Sequence, residues 1–340
     1  MRKLLSICIP TYNMESLLSR CLDSFIVEKK YMDMLEIIVV NDGSNDNSSA
    51  IAHEYAEKYP HNYIVIDKPN GNYGSCINAA LKIATGKYFR ICDADDRYNK
   101  INLQDYIRFL EKTDSDIVFS SFLILMVDES VVKTVECPNN MNNQSYLIDD
   151  INWNDKKMMA LRAMHCMATK TQILKDNKYV QTEGISYTDT QFSFYSLLFS
   201  DTCSFFNGII YLYYLGRDGQ TMSLESMKKN YFHFYLNADK LMDSYCQILE
   251  PLSINRQSVL LNCILSEVQG FVNVFISSFA DVKKQKMAIQ SLIKKSEHSF
   301  NSCPLEERLI ESSRLYKLWK KYHIPTWLLF LMVKVRRTFK

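Results

Sequence analysis

The chain has 340 residues, 47% of them hydrophobic and 23% charged, with a formal net charge of +2. That length suits one large α/β domain with additions. The near-neutral balance provides no basic field, which excludes a dedicated nucleic-acid binder. The ten cysteines follow no CxxC or metal-type spacing and sit mostly in apolar runs such as 4–9 and 260–265. Reduced core thiols of a cytoplasmic protein are therefore expected, not a disulfide framework. No run approaches the roughly 20 apolar residues of a spanning helix, and the run 4–9 is too short for the apolar region of a signal peptide.

In chain order, the apolar run 4–9 stops at Pro10 and predicts a buried strand. Helical spacing follows over 15–27, through Leu18, Cys21, Leu22 and Phe25. A second strand, 35–40, ends in the turn formers Asn41-Asp42-Gly43-Ser44-Asn45-Asp46, which open another helix. A third strand, 63–66, precedes a Gly-rich turn over 69–74. The helix expected over 75–84 closes at Gly86. A fourth strand, 88–92, then runs into Asp93-Ala94-Asp95-Asp96. Strands alternating with helices over short connections predict a parallel sheet with helices on its faces.

A helix over 103–110 and a strand over 116–120 come next, then a hairpin of 122–127 and 131–135. The polar, Asn-rich segment 138–150 reads as a loop. Residues 153–174 carry a helical pattern through Met158, Met159, Leu161 and Met164, and include His165; a helix is expected over 171–177. Residues 184–189 lead into an amphipathic run over 190–199. An aromatic strand, 209–215, ends in Gly216-Arg217-Asp218-Gly219-Gln220. Beyond residue 224 the pattern is almost wholly helical. The boundary falls near 222, giving a domain over 1–222 and a mainly helical region over 223–340.

Ligands of open α/β sheets bind outside the carboxyl ends of the strands. Residues 10–13, 41–46 and 93–96 all fall at such ends, and three polar ends on one edge define a site. Carboxylates as close as Asp93, Asp95 and Asp96 repel one another unless a cation neutralises them. Hard divalent cations such as Mg²⁺ or Mn²⁺ take this kind of oxygen ligand together with substrate phosphates.

These pieces resemble the family 2 glycosyltransferases, nucleotide-sugar-dependent enzymes with the fold called GT-A. The matching residues are Ile7-Cys8-Ile9-Pro10-Thr11-Tyr12-Asn13, 37–44, Asn72-Tyr73-Gly74 with Asn78, 86–96 and 184–189, over about two-thirds of the chain. The resemblance implies a mostly parallel, Rossmann-like sheet flanked by helices, with a helical C-terminal extension. Nucleotide-sugar binding then falls over about 1–100 and the acceptor side over about 101–222. It also implies inverting transfer of a sugar from a nucleotide donor, most often a UDP-sugar. The acceptor would be a hydroxyl of a saccharide or lipid-linked glycan, as in surface polysaccharide synthesis.

By the same resemblance Pro10, Thr11 and Tyr12 flank the nucleobase, Asp42 accepts from its N–H, and Asn78 belongs to the donor-side set. Asp93 meets the ribose, and Asp95 holds the Mn²⁺ or Mg²⁺ that bridges the diphosphate. Asp96 supports from behind. Asp189, in Thr188-Asp189, is the expected base that deprotonates the acceptor; an N-cap role for the following helix is equally open to a carboxylate there. His165 matches the acceptor region, and Arg217 is placed to close over the diphosphate. Asn41 stands where the family often has a second aspartate, and Thr188 where it often has an acidic residue.

Two rivals remain at this level: a catalytically inactive relative that assembles with another transferase, and a sugar nucleotidyltransferase. The second usually has a Gly-rich, basic loop after the first strand, where this chain has Pro10-Thr11-Tyr12-Asn13. No GxGxxG follows that strand and no GxxxxGK[ST] occurs, so the phosphate cradles of dinucleotide and P-loop proteins are missing. Residues 314–340 are basic and aromatic. They suit either a peripheral contact with the cytoplasmic face of an anionic membrane or a helix docked on the catalytic domain.

Overall fold

The computed structural model describes residues 3–141, 144–217, 220, 223–248, 250–278 and 282–297, together with 316, 317 and 320. Apart from those last three positions, the segment 314–340 lies outside the described residues. Two compact units are present. The first comprises Met1–Arg217 with Ser253–Val259, and the second Asp218–Leu252 with Leu260–Lys340.

The first unit is built on ten strands: β1 (Leu5–Thr11), β2 (Leu35–Asn41), β3 (Tyr63–Asp67), β4 (Tyr88–Ile91), β5 (Arg97–Tyr98), β6 (Ile117–Met126), β7 (Val131–Val135), β8 (Ser145–Leu147), β9 (Met167–Lys170) and β10 (Thr202–Leu215). They form one sheet in the order β3-β2-β1-β4-β9-β6-β10-β5, with β7 on β6 and β8 on β10. Strands β3, β2, β1 and β4 are mutually parallel, as are β6 and β10, so the carboxyl ends of β1, β2 and β4 share one edge. Burial follows the apolar runs: every residue of β2 and β4 is buried, as expected of parallel strands covered on both faces.

Pro10 lies inside β1 and does not end it. The Cys92 N–H donates to the Cys8 carbonyl, so alternate residues of β1, Pro10 among them, turn toward β4. Pairing with β4 stops at Cys8, and the missing N–H of Pro10 therefore breaks no ladder bond.

The helix expected over 15–27 is only Leu18–Asp23, and the helix placed at 75–84 begins earlier, as Asn72–Ile83. Gly86 does not cap that helix. It lies two residues past Ala84, and a Cβ there would stand 2.5 Å from the Ser6 N, so glycine is required for the approach to β1. The buried Glu36 carboxylate of β2 holds the same corner, accepting from the Ser6 hydroxyl, Thr85 N (2.8 Å) and Thr85 Oγ1 (2.6 Å).

Strand β9 is the main departure from expectation. The Met-rich stretch read as helical forms only a short helix, Lys156–Ala160, and one 3₁₀ turn, Met164–Cys166, before entering the sheet. β9 runs antiparallel between β4 and β6, which places His165, in the turn just before it, beside Asp93. The stretches 116–120 and 122–127 are one strand, β6. The polar segment after Pro138 contributes β8 and a 3₁₀ turn, Ile148–Asp150.

In the second unit, helices Leu224–Lys229, Tyr231–Cys246 and Val282–Glu297 accompany residues 260–278 of the helix Ile254–Ser278. Lys295 ties the last of these to Asp239 and Asp243, at 2.6 Å each. Rings of Tyr231, Phe232, Tyr235 and Phe271 pack beside them. No described helix is long and apolar enough to cross a membrane.

Candidate active site

Three loops leave the carboxyl edge and lock together. Asn13, in the left-handed region at φ 53, accepts from Asn45 N (2.9 Å), while its own N–H donates to Ser44 Oγ (3.0 Å). The Asp42 N–H donates to the Thr11 carbonyl (2.8 Å). Thr11 is buried, whereas Tyr12 is 45% exposed. Asn41 donates from Nδ2 to Asp67 Oδ1 (2.7 Å) and accepts from Ser44 N (3.1 Å). An aspartate at 41 would instead face Asp67 with a second negative charge.

Asp42 is 4% exposed. Its Oδ1 accepts from Lys68 Nζ and from Gly71 N (2.9 Å). The neighbouring Cys76 thiol is pushed up to about 12 by burial and then by Asp42, so it stays neutral. Lys68 is the residue in this wall that sequence reasoning passed over.

The acidic run divides its work. Asp93 Oδ1 accepts from the Tyr73 hydroxyl (2.8 Å), and its backbone N–H donates to the Tyr211 hydroxyl (3.1 Å). Its carboxyl is pushed up to about 7, by desolvation first and then by the Asp95 charge; Asp189 pushes the same way and Arg217 opposes. Asp95 Oδ2 accepts two bonds from Arg217, from Nε (3.0 Å) and Nη2 (2.9 Å). Its carbonyl accepts from Arg20 Nη2 (2.7 Å), whose guanidinium lies 4.2 Å from the Tyr214 ring centre. Asp96 is fully buried and directed at β10, accepting from the Tyr211 hydroxyl (2.6 Å) and Tyr214 N (2.8 Å). Burial raises its carboxyl well above the usual range, followed by the charges of Asp93 and Asp95.

His165 packs against Phe122, Tyr211 and Tyr213. Its Nε2 has no hydrogen-bond partner and lies 4.0 Å from Asp93 Oδ2. Burial and then Arg90 push the imidazole down to about 3, so it is neutral and forms no ion pair with Asp93. The fully buried Arg90 of β4 donates to the His165 carbonyl, to Ser120 Oγ (2.9 Å) and to the Tyr106 hydroxyl (3.2 Å). It fixes the turn that carries His165.

Asp189 opens the helix Asp189–Phe199, two residues after Tyr187, which lies in the left-handed region at φ 64. Burial raises its carboxyl; the N–H groups of Asp189 and Thr190, and then the Arg162 charge, hold it down in part. Its charge also acts on Tyr73 and Tyr213, the side chains that Asp93 acts on, so Asp189 belongs to the same cluster. Thr188 is buried and accepts from Gln181 Nε2 at Oγ1 (2.8 Å) and at its carbonyl (3.0 Å).

Asn78 makes its amide contacts with this connection. Its Nδ2 donates to the Gln181 carbonyl (2.9 Å) and Glu183 Oε1 (2.8 Å), and its Oδ1 accepts from Gln181 N (2.8 Å). Gly184 N donates to the Gly71 carbonyl (2.9 Å), and a Cβ on Gly74 would stand 2.0 Å from the Thr182 carbonyl oxygen. The helix behind Asp42 is thus closed against the segment leading to Asp189. Gly74→Ala should lower stability by about 1–3 kcal/mol. It should also cut turnover at least roughly tenfold by displacing Asp189. Melting and single-turnover rates read both effects, and parental values would refute this coupling.

Among the described residues, ligand atoms of Asp93, Asp96 and His165 lie within 4.8 Å of one another, a spacing that a metal ion can bridge. Asp96, however, is committed to β10. The acidic pair better exposed to a ligand is Asp93 and Asp95.

Residues 6–168 match the family model described as Glycosyl transferase family 2. The Poly(ribitol-phosphate) beta-glucosyltransferase of Bacillus spizizenii is 29% identical over 232 residues, 67% of this chain and 35% of that protein. The Minor teichoic acid biosynthesis protein GgaB of Bacillus subtilis is 36% identical over 115 residues, 33% of this chain and 13% of that protein. The chain therefore matches well under half the length of these curated relatives. Among solved structures, S. aureus TarS 1-349 in complex with UDP-GlcNAc superposes with a TM-score of 0.64 at 20% identity, covering 93% of this chain and 86% of that one. That likeness is one of fold, the GT-A α/β arrangement with its helical extension. Over residues 6–168, just under half of its length, the chain is thus similar to glycosyl transferase family 2, and the fold it shares with TarS extends beyond that segment.

Proposed function

We propose that this protein transfers a sugar, with inversion, from a UDP-sugar to a hydroxyl of a cell-surface glycan or polyol-phosphate polymer under synthesis. The observation that carries the reading is the convergence of Asp93 and Asp95, from one loop, with Asp189, from far along the chain, on a site whose carboxyl edge also carries the buried Asp42. Relatives named for teichoic acid and poly(ribitol-phosphate) glycosylation support the acceptor class.

In this reading the base stacks on Tyr12 and donates its N–H to Asp42, while Asp93 meets the ribose. Asp95 and Asp93 would hold the divalent cation, which supplies neutralisation of the leaving diphosphate. Desolvation raises Asp93 first and the Asp95 charge second, and such an ion would relieve both. Asp189 takes the acceptor hydroxyl proton. The acceptor oxygen then bonds to the anomeric carbon as the bond to the diphosphate oxygen breaks, and the nucleoside diphosphate departs with that electron pair. Burial raises Asp189, which makes it a better proton acceptor than an exposed aspartate. His165, neutral and lined with aromatic rings, suits the acceptor side.

The deciding experiment is a panel of nucleotide sugars with Mn²⁺ or Mg²⁺, scored by thermal shift and by release of nucleoside diphosphate on teichoic-acid-type acceptors. UDP-sugars should shift the melt and release UDP. Binding without any transfer would favour an inactive assembly partner.

Asp93 adds a pH signature. A carboxyl raised in the fold destabilises the cation-free protein progressively from about pH 4, the unfolded value, up to its folded value near 7. A bound cation expels that proton. The rise in Tm on adding Mn²⁺ with UDP should therefore be larger at about pH 8 than at about pH 6. Equal shifts would remove Asp93 from the cation site.

A further inference from the structure

Lys68 lies in the turn between β3 and the helix Asn72–Ile83, 19% exposed at its side chain, and no motif of the sequence singles it out. All three of its ammonium protons have acceptors: Asp42 Oδ1, the Pro69 carbonyl (2.7 Å) and Ser75 Oγ (2.7 Å). Ser75 Oγ in turn donates to the Asn72 carbonyl (2.6 Å). An ammonium with every proton placed is a fixed counter-ion, not a donor held in reserve for a ligand.

The same carboxylate oxygen also receives Gly71 N, and the Asp42 carbonyl accepts from Asn70 Nδ2 (3.0 Å). The Lys68 and Gly71 bonds both fall on Oδ1, so neither of them occupies Oδ2, and the neutral Cys76 thiol lies beside the same carboxylate. A carboxylate is acceptor-only while it is ionised. At 4% exposure it remains an economical acceptor only while a cation is locked beside it.

We infer that Lys68 is the positioning residue that gives the nucleobase pocket its discrimination. By holding Asp42 as an oriented, acceptor-only group, it selects bases with a ring N–H at that edge and rejects those with a lone pair there. The sharpest pair is uracil against cytosine. They share size and ring shape, but N3 is a donor in uracil and an acceptor in cytosine. The inference rests on the donor reading of the pocket and adds the group that enforces it.

The test measures Kd for UDP and CDP, each with Mn²⁺, on the full chain and on Lys68→Met, Lys68→Arg and Asp42→Asn. The parent should favour UDP by about two orders of magnitude or more, because the pocket would leave a buried acceptor facing a lone pair. In Lys68→Met the buried carboxyl group loses its counter-charge, and once protonated it can donate as well as accept. UDP should then loosen at least about tenfold and the UDP:CDP ratio collapse toward unity, with kcat at saturating donor nearly retained. Lys68→Arg should restore the ratio. Asp42→Asn, whose amide can turn either a C=O or an NH₂ to the base, should bind the two nucleotides comparably; it tests the same logic if Lys68→Met fails to fold. Parallel loosening of UDP and CDP in Lys68→Met, with the parental ratio kept, would overturn the inference by reducing Lys68 to a structural strut. Failure of the parent to bind either nucleotide would instead overturn the donor reading itself.

Discussion

Replacing Asp189 with Asn should lower kcat by about 10²- to 10⁴-fold, the range of a positioned general base, while UDP binding with Mn²⁺ is retained. The substitution keeps the size of the side chain and its place at the start of the helix Asp189–Phe199. It removes the negative charge and the basic oxygen. A helix N-cap would also tolerate asparagine, so a purely capping residue predicts almost no loss in either stability or turnover. Transfer rates and melting curves together separate the roles: slow turnover at an unchanged Tm marks a base. Near-parental turnover would send the search for the base elsewhere in the cluster.

The second large effect concerns Asp95. Asp95→Asn should weaken cation-dependent UDP binding by more than the roughly 10- to 100-fold that loss of a supporting residue around a metal typically costs. Its Oδ2 already accepts the two Arg217 bonds, so a cation held there would compete with the guanidinium for that oxygen. Arg217→Gln should therefore tighten Mn²⁺ binding in the absence of nucleotide, yet loosen it with UDP present, when the guanidinium is wanted on the diphosphate. Titration calorimetry with Mn²⁺, with and without UDP, reads both signs. A nucleotide-free Mn²⁺ affinity unchanged by Arg217→Gln would argue that Asp95 is not the ligand.

Much of the parallel half of the sheet was legible in the sequence because its signals are local. Apolar runs that end in turn formers mark β1, β2 and β4, and the polar residues at those ends come together on one edge. The misreadings share a physical cause. β9 is four residues long and is held by pairing with β4 and β6, partners tens of residues away, so no periodicity within Met167–Lys170 announces it. Pro10 looked like a strand end because the side on which β4 pairing stops is a tertiary fact. Gly86 looked like a helix cap because the approach to Ser6 cannot be read from its neighbours.

The same distinction runs through the site. Resemblance alone sets Asp96 behind Asp93 and Asp95, and its bonds to Tyr211 and Tyr214 supply the physical reason. Lys68 and Arg90 carry no motif, since what matters is the group each one meets across the fold. Asn78, expected on the donor side, makes its amide contacts with Gln181 and Glu183, a hundred residues further on.

The Gly74 approach to Thr182 and the Asn78 bracket have a practical meaning for redesign. The wall proposed to read the nucleotide and the strut that carries Asp189 are clamped as a single piece. Grafting residues 68–78 from another enzyme to change donor preference would import a surface shaped for a different partner at 181–184, and the acceptor-side machinery would shift with it. Chimeras that exchange 68–78 together with 179–189 should inherit the new donor preference and keep turning over, whereas those that exchange either segment alone should lose rate before they gain selectivity.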